Sequence, residues 1–213
     1  MSRLVEDMLL LGSTPEGRHA LRDLPTLVAG AALADLAHLD RVDAPGRTVT
    51  VLDPTPTDHP VLDDLLGRMV ATRRPRAPWR WVFDSARPLT DATRTHLVQT
   101  GLLGRQEDVV LGMLPRTRHP VVDLEAQQRL VEEVRAVVLA DEHHADGASP
   151  QAAHTIMLCS LLATAFHSRR TAAALFPELD ARELRTRLRS ISTPHWAVAG
   201  TAHAVRLANA ARP

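Results

Sequence analysis

Residues 117–139 read TRHPVVDLEAQQRLVEEVRAVVL, an amphipathic helix entered through Thr-x-His-Pro. Asp123 stands where an N-cap accepts backbone N–H bonds, and Leu124, Leu130, Val131, Val134, Val137 and Val138 recur at the spacing of one helix face. Glu125 and Arg129, four apart, are placed to pair on the wet side. No nucleophile, base or metal ligand stands out in the stretch, so its meaning comes from its neighbours.

Working outward, helical periodicity recurs at 4–11, 26–39, 61–71, 90–100, 124–140, 150–166, 180–190 and 194–209. Ser149-Pro150 and Thr193-Pro194 each place a cap before an N1 proline, and Asp180 with Glu183 forms a capping-box pattern. The segment PQAAHTIMLCSLLATAF, 150–166, is apolar on nearly every side and predicts the central buried helix. Two places break the pattern alike, LADLAHLDRVDAPGRTVTVLDP and THLVQTGLLGRQEDVVLGMLP. Each reads as a helix end, a short strand, a turn and a second strand, so a β-hairpin at about 103–114 has RQED as its tip. Between them TRRPRAPWRWVFDSARP, 72–88, is proline-rich and basic and predicts a loop. The expectation is a mainly α chain: a single globular helical domain over 1–213 with one or two small β-hairpins, one of them protruding.

At 213 residues, 45% apolar and 23% charged, the chain can bury one sizeable core. No apolar run of about eighteen residues is present to span a membrane. MSRLVEDMLLLGS carries Glu6 and Asp7 inside its apolar stretch and reads as a first helix, not a signal peptide. The single cysteine, Cys159, excludes an internal disulfide and fits a reducing cytoplasm. All 25 basic residues are arginine, which with abundant alanine suggests a GC-rich, bacterial genome and removes lysine chemistry. Formal charge is zero, so any pull on a charged partner is local.

The basic segment supplies that local charge. Arg73, Arg74, Arg76, Arg80 and Arg87 cluster around Trp79 and Trp81, with Asp84 alone opposing them. Guanidinium groups bind phosphate bidentately and tryptophan suits a membrane interface; equally, the tryptophans can anchor the core beneath a solvated arginine face. DEHHAD, 141–146, holds His143 and His144 beside three carboxylates but lacks a third ligand at a metal spacing, and reads as a solvated loop. His154 and Cys159, five apart with no orienting carboxylate in sequence, read as core. Phosphate-loop, G-x-S-x-G and H-E-x-x-H patterns are absent. No catalytic residue, metal ligand or cofactor is expected, and the chain reads as non-enzymatic.

The order of its pieces resembles the Golgi phosphoprotein 3 family: LVEDMLLLG at 4–12, LADLAHLDRV at 33–42, DPTPTDHPVLDDLL at 53–66, LVQTGLL at 97–103, TRHP at 117–120, QRLVEEV at 128–134 and WAV at 196–198. The resemblance implies a mainly α fold with a protruding hairpin and a peripheral adaptor that binds phosphatidylinositol 4-phosphate. It implies a headgroup site of one tryptophan and one arginine near the second helix, with two arginines three apart further along. Here no tryptophan precedes Trp79, the first arginine position falls at Ala29, and of the later pair Arg87 matches while its partner falls at Thr90. A single guanidinium lacks a multidentate grip, so Ala29→Arg with Thr90→Arg is expected to restore headgroup preference. The family's hairpin is aromatic and takes part in oligomer and membrane contact; here Val109, Val110, Leu111 and Met113 are apolar without aromatics, which favours pairing with a second copy.

The leading expectation is a non-enzymatic, cytoplasmic, peripheral membrane adaptor. Its partner is an anionic phospholipid headgroup, phosphatidylinositol 4-phosphate being the family ligand, met by Arg73, Arg74, Arg76, Arg80, Arg87 and Trp81. The hairpin makes it a homo-oligomer. The alternatives are a winged-helix-like DNA-binding regulator and a purely structural interaction domain. Against the first, neither hairpin tip, DAPG or RQED, is basic, so no nucleic-acid partner is expected.

Overall fold

The computed structural model describes residues 3–110, 114–140, 149–165 and 175–211, with backbone alone at 108–110 and 114–115. In chain order these form α1 (Leu4–Leu11), α2 (Leu24–His38), β1 (Val42–Asp43), β2 (Thr50–Val51), α3 (Pro60–Ala71), α4 (Pro78–Gln99), β3 (Gln106–Val110), β4 (Leu114–Arg118), α5 (Leu124–Leu139), α6 (Pro150–Ala163), α7 (Ala181–Ile191) and α8 (Trp196–Ala210). The protein is mainly α, with two separate two-stranded antiparallel hairpins.

The central helix is α2, not the 150–166 segment. From Leu24 to Leu36 every residue of α2 except Pro25 is buried, and α1, α3, α4, α6 and α8 all pack on it. Alanine and glycine carry much of this burial, which lets neighbours approach closely. Gly30 marks the closest approach: a Cβ there would lie 2.1 Å from Thr201 Oγ1 of α8. α6 instead is buried all round only over Leu158, Cys159, Ser160, Leu161 and Leu162, and its first turn leaves Gln151 and Ala153 exposed.

Helix ends follow the sequence in most places. Asp123 Oδ1 accepts from Ala126 N at 2.8 Å, Ser149 Oγ from Ala152 N at 3.2 Å, and Asp180 Oδ1 from Arg182 N and Glu183 N. Thr193-Pro194 does not cap α8; His195 Nδ1 accepts from Ala197 N at 3.1 Å and the helix begins at Trp196, while Thr193 N donates to Ser160 Oγ. Asp35 reaches out of α2 to accept from Leu4 N at 3.1 Å and Val5 N at 2.9 Å, which fixes the start of α1.

Two expectations need larger corrections. Residues 78–88 are the first half of α4, not loop, so only about Thr72–Ala77 connects α3 to α4. Pro78 opens the helix with its preset φ, and Pro88 is tolerated inside it because it lies on the exposed face, where the freed Asp84 carbonyl meets water. The second hairpin is also displaced. RQED is no turn: Gln106–Val110 is a strand paired with Leu114–Arg118, in register Gln106↔Arg118 through Val110↔Leu114. Val109 and Val110 are the last two residues of β3; Leu111 and Met113 fall outside the described residues. The first hairpin forms as expected, with Val42↔Val51 and Asp43↔Thr50.

The opening stretch shows how α5 joins the rest. Leu130, Val134 and Val138 are buried, Val131 and Val137 partly so, and Leu124 is exposed. Glu125 and Arg129 approach to 3.8 Å. The key side chain is Gln127, whose Nε2 donates to Leu10 O at 2.8 Å and Ser13 O at 2.7 Å, capping the carbonyl end of α1. Upstream, Pro120 O accepts from Gly104 N at 2.7 Å and Leu103 bridges Val121, so the hairpin is tied off just before α5 begins.

Candidate functional site

The short α3–α4 connection gathers the arginines. Arg73, Arg74 and Arg76 with Arg80 and Asp84 line an open cleft of about 660 Å³, floored by Ala71 and Thr72. A second hollow of about 400 Å³ adjoins it, shared by Arg73, Arg74 and Arg76 and walled by Val49, Val51, Met69, Val70 and Trp81. All four arginines are exposed. Arg76 pairs with Asp84 at 3.2 Å, while Arg73, Arg74, Arg80 and Arg87 have no carboxylate partner among the described residues. The cleft also lies at the start of α4, whose macrodipole adds positive potential.

The two tryptophans divide between the alternatives the sequence left open. Trp81 is 7% exposed and belongs to the core, with the Arg76 guanidinium 5.3 Å from its ring centroid. Trp79 stacks on His203 of α8 at 5.1 Å and carries Arg80 at 5.8 Å. Both rings brace arginines from beneath, and Trp81 also walls the second hollow. Exposed Val70 also walls the second hollow, and Phe83, 43% exposed, lies three residues beyond Arg80 on α4.

The positions transferred by resemblance fare differently. Ala29 is 1% exposed in the middle of α2 and Thr90 is 2% exposed, its Oγ1 donating to Ala86 O. An arginine at either would enter the core, so the expected rebuilding of a headgroup site at these positions is wrong. Arg87 is exposed on α4 but lines neither hollow.

The histidines expected to be inert fall into two cases. His143 and His144 of DEHHAD lie outside the described residues. His154 does have an orienting carboxylate, Asp7 Oδ2 at 2.7 Å, contributed by α1 and invisible at the level of spacing. Cys159 gains nothing from it; burial pushes the thiol up to about 12, which leaves it unreactive. A cavity of about 350 Å³ beside His154 is lined by Arg3, Asp35, His38, Met157 and His195. Burial raises Asp35 to about 6 there, against the Val5 and Leu4 amide bonds.

A cluster unseen in the sequence joins three helices. Glu6 of α1, His59 at the N-cap of α3 and His96 of α4 converge, with Glu6 Oε1 3.1 Å from His59 Nε2 and 3.0 Å from His96 Nε2. Burial raises the Glu6 carboxyl, but the His59 hydrogen bond, the Arg3 amide and the two imidazoles together hold it below its ordinary value.

Among the described residues no helix is long and apolar enough to cross a membrane. No curated protein matches the chain. The profile of the Golgi phosphoprotein 3 (GPP34) family matches residues 4–208, nearly all of it.

Proposed function

We propose, from the premise that this chain belongs to the Golgi phosphoprotein 3 (GPP34) family, that it is a non-enzymatic peripheral adaptor which docks on anionic membrane through the α3–α4 cleft. The observation that carries the reading is the group Arg73, Arg74 and Arg80, without a carboxylate partner among the described residues, around one open hollow, with exposed Val70 walling the hollow beside it. Such a surface couples charge attraction to shallow apolar contact, as interfacial anchors do. Each arginine near the surface contributes on the order of 1 kcal/mol, screened over a Debye length of about 8 Å at physiological salt. Binding is therefore driven by surface charge, with little preference between phosphatidylinositol 4-phosphate and phosphatidylserine.

Vesicle co-sedimentation at matched surface charge tests this. Both lipids should recruit the protein, with binding lost at high salt. Arg73, Arg74, Arg76 and Arg80 changed together to alanine should weaken it more than Arg87→Ala does. Unchanged binding by the fourfold variant, or none to phosphatidylserine, overturns the reading.

A further inference from the structure

We infer that Glu6, His59 and His96 form a binding site for a divalent zinc-type cation. Two imidazoles and one carboxylate are the donor set that binds such ions while leaving one position open. Their ligand atoms all lie within 4.8 Å of one another. Bonds of about 2.0–2.1 Å around a tetrahedral zinc require donor separations near 3.3 Å. The two Glu6–imidazole separations, 3.1 and 3.0 Å, already come close.

Each donor stands on a rigid element and is oriented by something else. Glu6 is the N3 residue of α1, and its other oxygen, Oε2, accepts from Arg3 N at 3.3 Å, so the cap fixes the carboxylate's direction. His59 precedes Pro60, which holds its backbone extended at φ −128° and ψ 112°. The His59 ring is buried, and its Nδ1 has no hydrogen-bond partner, so all its polar bonding is directed through Nε2 at the cluster. His96 stands in the last turn of α4, between buried Thr93 and Leu97. Side-chain exposures of 16% for Glu6 and 19% for His96 leave solvent a route to the open position. The cation would link α1, α3 and α4, and its binding would release protons from the imidazole–carboxylate hydrogen bonds.

The rival is a carboxylate bridging two imidazole N–H groups with no affinity for metal. Calorimetry on the chelator-stripped full-length chain separates the two, with zinc chloride as titrant. The inference expects one zinc per chain at this site, a raised thermal midpoint, and the visible absorption of tetrahedral cobalt(II) when cobalt is substituted. Glu6→Gln, which keeps the shape and the cap acceptor, and His96→Ala should each weaken zinc binding by at least about tenfold, as loss of one of three ligands demands. His143→Ala with His144→Ala should leave the cobalt spectrum unchanged. Zinc binding that survives both Glu6→Gln and His96→Ala, an equal response to magnesium, or no binding at all overturns the assignment. His59→Ala is the least informative variant because its ring is buried; the other two decide.

Discussion

Asp35 shows what one buried carboxylate can do to the acid behaviour of the whole fold. Burial raises it to about 6, while the Leu4 and Val5 amides pull the other way. The folded state then holds the Asp35 proton more tightly than the unfolded chain, whose carboxyl titrates near 3.8. Its contribution to stability is full below about pH 3.8 and is lost as pH rises towards about 6. Urea titrations of the parent and Asp35→Asn should show a stability difference that shifts against the parent across that window and is level above it; parallel curves throughout would sink the idea. Burial also decides the fate of Ala29→Arg and Thr90→Arg. Each places a guanidinium among packed side chains, so a loss of several kcal/mol and a sharply lowered melting temperature are expected, with no gain in headgroup preference. A better-folded variant with phosphoinositide selectivity would contradict this. At the same scale lies the difference between Arg87, legible from resemblance, and Arg73, Arg74 and Arg80, legible from charge density alone.

Between helices, α2 and α8 approach closely at Gly30. Gly30→Ala would drive a methyl into Thr201, and neither backbone has slack, so a cost of about 1–3 kcal/mol is expected in urea titration. Thr201→Ser beside it should recover part of the loss by removing Cγ2, which the added methyl also meets. The β3–β4 hairpin is a two-stranded sheet with no third strand among the described residues. We propose that its edge pairs with a second copy of the chain. Val110→Lys should then lower the mass read by light scattering without shifting the melting temperature; a parent already monomeric at high concentration removes the proposal. Elements with a strong 3.6-residue period, α1, α3, α5 and α7, are legible to within a residue or two, α5 and α7 with a side-chain cap as well. α4 was hidden because two prolines punctuate it, and proline signals a break only where its missing N–H matters. The second hairpin is displaced because RQED looks like a turn by polarity, yet strand residues as exposed as Gln106, Glu107, Arg116 and Thr117 have no need of apolar alternation.

Across the whole molecule a net charge of zero hides a local excess of positive charge, since Arg73, Arg74 and Arg80 make no ion pair among the described residues. That asymmetry was readable from a single segment, because its residues are consecutive in the chain. The Glu6–His59–His96 cluster was not. It joins three elements that come together only in the folded chain, through their packing on α2 and of α1 and α3 on α4, and no spacing rule connects their positions. The same distinction makes the α3–α4 connection a reporter. Arg73–Arg74 and Arg76–Ala77 are peptide bonds that an arginine-specific protease can cut, whereas Arg74–Pro75 resists. Because α2 packs against both α3 and α4, a chain nicked there should keep its native circular dichroism and come apart only in denaturant. Anionic vesicles that cover the cleft would slow the nick, so the rate of scission becomes a clock for how long that face spends in contact with lipid.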